Sequence, residues 1–357
     1  MSETATRPEL PPDLRHFGKM VIVYNATSEL SVAAYNDAMH RLDLAKSDIN
    51  NIPISTVETS KHADDTYDEV TEHIDPLQWT ILAATMGDGS WRQLISKLPY
   101  SHFKRLALLP YSGGTAKNLH KSAFEKDREF IDYMITHGHA ELFSPMSFAF
   151  VDANGNIIMD VGATSASFGN VHHGMARINS EKHRSGKLSG LRNVDFLGEI
   201  GRKAIRGAYD GAALATGLLW DAKGKKWRAL FPEGEFEGQN IMYINAPETA
   251  TIIKAPQVKL GGGFIRATNE TDVEAAKALI DLRRGKYNSP ETTIDSFVAL
   301  SKIPYQIEGN EKDEHGEPYF VEPGTTVIIT QAPPIYVVTN RPDQFPVTTP
   351  SLVQKDV

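Results

Sequence analysis

The run Thr85-Met86-Gly87-Asp88-Gly89-Ser90-Trp91 sets one carboxylate between two glycines. Upstream, Trp79-Thr80-Ile81-Leu82-Ala83-Ala84 reads as a buried strand. Downstream, Trp91 to Leu98 carries apolar residues at helical spacing. Glycines let a backbone approach a phosphate closely, and a helix N-terminus offers free N–H groups and partial positive charge. A carboxylate on such a turn suits a metal–phosphate unit or a general base. The same pattern also describes a tight turn whose Asp caps the helix.

Three further loops carry small polar side chains: Asn25-Ala26-Thr27-Ser28, Thr59-Ser60-Lys61-His62, and Tyr111-Ser112-Gly113-Gly114-Thr115-Ala116-Lys117-Asn118. Each follows an apolar strand-like segment. Asn and Thr side chains bind phosphate oxygens or ribose hydroxyls without adding charge, and Gly113-Gly114 before a helix again suits an anion. In a doubly wound sheet, loops at the carboxyl ends of the strands converge on one edge, where ligands bind. Together the four loops point to a nucleotide site, with ordinary connectors as the alternative.

The elements that must position these loops alternate along the first third. Strands are predicted at Met20 to Tyr24, Ile54 to Val57, 79–85 and Leu106 to Leu109. Helices are predicted from Ser28 to about Leu44, from His62 to Ile74, over 90–98 and from Thr115 to about Ala123. That order implies a mostly parallel sheet with helices on both faces. After about Glu141 the pattern changes. Asp152-Ala153-Asn154-Gly155 joins two short apolar strands as a hairpin, and residues 218–230 read as a second hairpin. Strands follow at 241–245, 251–254, 304–308 and 325–330, with helices at Glu181 to Arg206 and Asp272 to Arg284. The expected fold class is α/β: an N-terminal doubly wound domain over 18–143, then an antiparallel, sandwich-like β-rich domain over 144–333. Residues 334–345 read as a return segment packing toward the first domain. Residues 1–17 and 346–357 read as disordered tails.

Composition narrows the classes. With 357 residues, 41% hydrophobic and 23% charged, the chain reads as a two-domain globular protein. A net charge of −8 argues against nucleic acid as a partner. The absence of cysteine excludes disulfides and thiolate chemistry and fits a reducing compartment. No apolar run approaches the length needed to span a bilayer, and the N-terminus lacks the apolar core of a signal peptide. His172, His173 and His183 offer no third metal ligand at fixed spacing, so they read as surface or pocket histidines. Lys223, Lys225, Lys226 and Arg228 beside Trp220 and Trp227 suit either a solvated hairpin tip or an anionic membrane surface. Gly261-Gly262-Gly263 reads as a turn or bulge.

These segments, over roughly residues 18–340, resemble the diacylglycerol kinase catalytic-domain superfamily, which includes sphingosine kinases and soluble bacterial lipid kinases. Met86 to Ser90 is similar to its (G/S)-G-D-G-(T/S) signature, and Asn25 falls at its Asn after the first strand. Thr59 to Ala63 resembles its T-x-x-x-(H/D)-A loop, and Leu109 to Leu119 its L-P-x-G-(T/S)-x-N segment. Lys254 to Gly263 is similar to A-P-x-A-x-x-x-D-G, Arg283 to Tyr287 to a following basic run, and His315-Gly316-Glu317-Pro318 to D-G-E-P. The resemblance implies an ATP-dependent lipid kinase using Mg²⁺, with nucleotide bound between two domains. It implies Asp88 and Glu317 as catalytic residues. Asn25, Thr59, Gly87, Gly89, Ser90, Gly114, Thr115 and Asn118 would bind nucleotide. Asp313 and Glu317 are the metal candidates, and His172 and His173 would lie near the substrate. A lipid substrate, peripheral membrane contact, a homodimer and a cytoplasmic location follow as expectations, with no nucleic-acid partner. Met86, Gly262 and His315 stand where the family carries Gly, Asp and Asp. That pattern implies an altered acceptor or weakened catalysis, leaving a non-catalytic nucleotide- or lipid-binding relative and a kinase of soluble acceptors as the other readings.

Overall fold

The computed structural model describes residues 13–45, 49, 52–59, 63–98, 100–111, 113, 118–125, 130–162, 164–168, 214–221, 226–229, 240–246, 248–249, 253–254, 264–268, 284, 292–299, 302–307 and 319–345. The helix expected at Glu181 to Arg206, and nearly all of that at Asp272 to Arg284, lie outside these residues. The described chain divides into two units. One takes residues up to Gly87, Gln93–Ser144 and the chain from Pro333 onward; the other takes Asp88–Arg92 and Pro145–Ala332.

The first unit is built on β1 (Lys19–Tyr24), β2 (Ile54–Glu58), β3 (Thr80–Ala84), β4 (Leu106–Pro110) and β5 (His139–Phe143). Its helices are α1 (Glu29–Leu44), α2 (Ala63–His73), α3 (Asp88–Lys97, shared by the division above), α4 (Tyr100–Phe103), α5 (Asn118–Ala123) and α6 (Ile131–His137). β3 and β4 bury all five of their residues. That near-continuous apolar character is what a parallel sheet covered on both faces demands. A late strand, labelled β19 below (Ile335–Thr339), completes the sheet in the order β2-β1-β3-β4-β19-β5. All neighbours are parallel except β19 and β5.

Strand order reverses direction at β1: the chain steps one way to β2, then back across to β3 and β4. Right-handed crossovers therefore set α1 on one face and α2 and α3 on the other. α6 packs against α1 and buries Ile131, Met134 and Ile135. The Ser28 hydroxyl caps α1 by accepting from Ser31 N–H at 3.4 Å.

The second unit contains β6 (Met146–Val151), β7 (Ile157–Gly162), β8 (Ser165–Phe168), β9 (Leu214–Asp221), β10 (Lys226–Ala229), β11 (Asn240–Ile244), β12 (Glu248–Thr249), β13 (Ile253–Lys254), β14 (Phe264–Thr268), β15 (Thr292–Ala299), β16 (Ile303–Ile307), β17 (Phe320–Val321) and β18 (Thr326–Gln331). Every pairing described here is antiparallel. One sheet runs β10-β9-β15-β18-β6-β7 and another β14-β11-β8-β16-β17. They face each other across an aromatic core. Phe148 and Phe150 of β6 lie 6.0 and 6.4 Å from Phe168 of β8, and Phe150 lies 4.8 Å from Tyr305 of β16. The α/β class with a β-rich sandwich is therefore the fold observed.

The β6–β7 hairpin turns at the predicted Asn-Gly. Gly155 takes φ +83°, which glycine adopts without a Cβ penalty. The Asp152 carboxylate accepts from the N–H groups of Asn154 and Asn156 at 2.8 Å each. Bonding to Asn156 holds its carboxyl below the usual range.

The tail reading of residues 1–17 fails at its end. Leu14–His16 form a 3-10 turn, Leu14 and Phe17 are buried, and the Phe17 ring sits 5.2 Å from Trp79. Two apolar side chains at spacing three find cover there, a signal masked by the polar and proline-rich residues before them. Among the described residues, no helix is long and apolar enough to cross a membrane.

Candidate functional site

β1, flanked by β2 and β3, marks the point where the strand order reverses, and that is where open α/β sheets bind ligands. The loops there are stitched together by backbone and by one buried hydroxyl. Thr59 N–H donates to the Tyr24 carbonyl at 2.8 Å, and Thr85 N–H to the Val23 carbonyl at 2.9 Å. The Ser31 hydroxyl, in the first turn of α1, accepts from Asn25 N–H at 2.8 Å and donates to the Thr85 carbonyl. Ser31 therefore ties the loop after β1 to the loop after β3.

The loop after β4 closes on the same place. A Cβ built on Gly113 would collide with the Thr85 carbonyl and crowd the Met86 nitrogen, so only glycine permits this approach. Tyr111 donates its hydroxyl to the Asp37 carboxylate on α1. Burial and that carboxylate raise the Tyr111 phenol far above its ordinary value, so it stays a neutral donor. His120 Nδ1–H donates to the Pro110 carbonyl at 2.7 Å, anchoring α5 to the end of β4.

The Gly-Asp-Gly turn itself differs from a capped turn in one respect. Gly87 occupies the N-cap position of α3 with no side-chain bond, and Asp88 is the first helical residue. Asp88 is therefore not the cap that the alternative reading requires. It stands half-buried in the first turn with Gly89 and Ser90, where the macrodipole favours an anion.

Asn25 is half-buried. Its carboxamide oxygen accepts from Thr27 N–H at 2.9 Å and Thr27 Oγ1–H at 2.7 Å, which leaves the Nδ2 group as the part of its carboxamide a ligand could engage. Asn118 is buried at the start of α5. Gly114, Thr115, His172, His173, Asp313 and Glu317 lie outside the described residues. Among the described residues, no group of three or more His, Asp or Glu side chains could hold a metal ion.

Four residues after Asp88, Arg92 is buried on α3 and pairs with Asp160 of β7. Asp160 also accepts from its neighbour Val161 N–H at 2.8 Å. Burial pushes the Asp160 carboxyl upward, and Arg92 opposes that rise without cancelling it. Tyr305 sits in the same surroundings, its phenol pushed up to about 12 by burial and by the Asp160 charge.

Sequence reasoning missed Ser31, the closeness of Gly113 to β3, and Arg92. Ser31 carried a signal, the Ser-x-x-Ser spacing from Ser28. Arg92 carried only the i,i+4 spacing from Asp88. The partner of each lies far along the chain.

No family model matches the chain, and no curated protein matches it. Among solved structures it is similar to the crystal structure of yeast NADH kinase complexed with NADH. The identity is 8%, the match covers 92% of this chain and 85% of that one, and the TM-score is 0.43.

Proposed function

We propose that the protein is an ATP-dependent kinase that transfers the γ-phosphoryl group to a lipid hydroxyl. One observation carries the reading. The Gly87 turn ends β3 and opens α3 with Asp88 as its first residue, while the neighbouring loops after β1 and β4 fold onto the backbone just before it. The resemblance of this turn and of the second-domain segments to lipid kinases names the acceptor class.

In this reading the acceptor oxygen bonds to the γ-phosphorus, the bond from that phosphorus to the bridging oxygen breaks, and ADP leaves. Asp88 takes the hydroxyl proton or holds the hydroxyl in line. Free N–H groups of the first turn of α3 offset phosphate charge. Asn25, Thr59, Gly89, Ser90 and Asn118 line the nucleotide, with Gly114 and Thr115 on its phosphates. Mg²⁺ keeps waters and phosphate ligands and needs only one or two carboxylates from protein. Asp313 and Glu317 would be the carboxylates that hold it, and the ion would neutralise phosphate charge.

The test is a lipid extract incubated with labelled ATP and Mg²⁺ and analysed by mass spectrometry, wild type against Asp88→Asn. A phosphorylated lipid that falls about 10²–10⁴-fold in the variant supports the reading. No labelled lipid with wild-type protein, or equal labelling with both, overturns it.

A further inference from the structure

We infer that Glu58 is the residue that recognises the ribose of the nucleotide, making this a site for ribonucleotides over deoxyribonucleotides. The inference rests on the nucleotide reading above. Register places the relevant groups in one row. Tyr24 stands opposite Glu58, and Val23 stands level with Ala84, so Glu58, Tyr24 and Thr85 line the carboxyl edge across β2, β1 and β3. Two strand spacings, about 10 Å, separate the ends of β2 and β3. A nucleotide whose phosphates lie at the Gly87 turn and whose sugar extends along this edge brings its ribose to the end of β2. In dinucleotide-binding doubly wound domains a carboxylate accepts from the ribose 2′-hydroxyl, and Glu58 offers that chemistry at the end of the strand beside β1.

The side chain is held for such a task. Tyr24 donates its hydroxyl to Glu58 Oε2 at 3.1 Å, and the Tyr24 ring stacks on Tyr35 of α1 with centroids 4.2 Å apart and planes 15° apart. The stack fixes the phenol, and the phenol fixes one carboxylate oxygen. Among the described residues Oε1 has no hydrogen-bond partner, and Glu58 is exposed. A carboxylate only accepts, so it pairs with a 2′-hydroxyl, loses that bond with a 2′-deoxy sugar and repels a 2′-phosphate.

Calorimetric titration of the full chain with Mg-ATP and Mg-2′-deoxy-ATP tests this, comparing wild type with Glu58→Gln. A hydrogen bond to a charged acceptor predicts wild-type affinity about tenfold higher for ATP. Glu58→Gln should shrink that preference below about threefold, mainly by weakening ATP binding. Equal wild-type affinities, a preference that survives Glu58→Gln, or an equal loss for both nucleotides overturns the ribose role while nucleotide binding stands. Failure of wild type to bind either nucleotide overturns the kinase reading itself, and Glu58's role with it.

Discussion

Arg92→Met tests the electrostatics that hold the start of α3. The variant keeps most of the buried stem but removes the guanidinium, so Asp160 remains in low dielectric without its cation. Breaking one side of a buried ion pair costs about 3–5 kcal/mol. In a unit of roughly 190 residues, each kcal/mol lowers the midpoint by about 2–4 °C, so Tm should fall on the order of 10 °C.

The pH dependence gives the sharper check. Burial already raises the folded-state pKa of Asp160 above its ordinary 3.8, and losing Arg92 raises it further. A raised carboxyl pKa means that the folded chain holds the extra proton. Stability is therefore lost as pH rises from about 4 through the raised value. Urea unfolding should show the deficit of Arg92→Met largest at pH 7 and shrinking toward about pH 4. The double variant Arg92→Met/Asp160→Leu, which buries no charge at this site, should recover most of the loss. A deficit below about 1 kcal/mol, or one that does not change with pH, refutes the account.

Other perturbations follow from the same geometry. Ser31→Ala strands the Asn25 N–H and the Thr85 carbonyl, so urea unfolding should show a loss of about 1–3 kcal/mol, with weaker ATP binding by calorimetry. Gly113→Ala pushes a methyl into the Thr85 carbonyl and should cost about 1–3 kcal/mol or more in urea unfolding. ATP affinity should fall with it, and reverting the position to glycine should restore both. Asp88→Asn should leave the thermal midpoint within about 4 °C, since a first-turn charge is worth under about 1 kcal/mol. Tyr24→Phe should lower the ATP preference over 2′-deoxy-ATP less than Glu58→Gln does, because the carboxylate remains.

The parallel sheet was legible because β3 and β4 are continuous apolar runs, and the β6–β7 hairpin because Asn154-Gly155 names its own turn. The loops of the candidate site were legible as polar connectors after successive strands. What joins the loops was not. Ser31 meets Thr85 across 54 positions, and Arg92 meets Asp160 across 68. Local periodicity holds no information about such partners. Leu14 and Phe17 were lost for the same reason, since their cover comes from distant residues such as Trp79.

The place of β19 in the first sheet has a consequence for synthesis. It lies between β4 and β5, yet it is made some two hundred residues after β5. A ribosome therefore releases β1 to β5 long before the strand that joins β4 to β5 exists. Two strand edges stay open during that interval, a template for pairing with other chains. The β-rich unit, inserted in between, can close first. A chain truncated before Ile335 should then show a protease-resistant second unit beside a first unit that is still readily cut, and a chain extended through β19 to residue 345 should resist digestion in both.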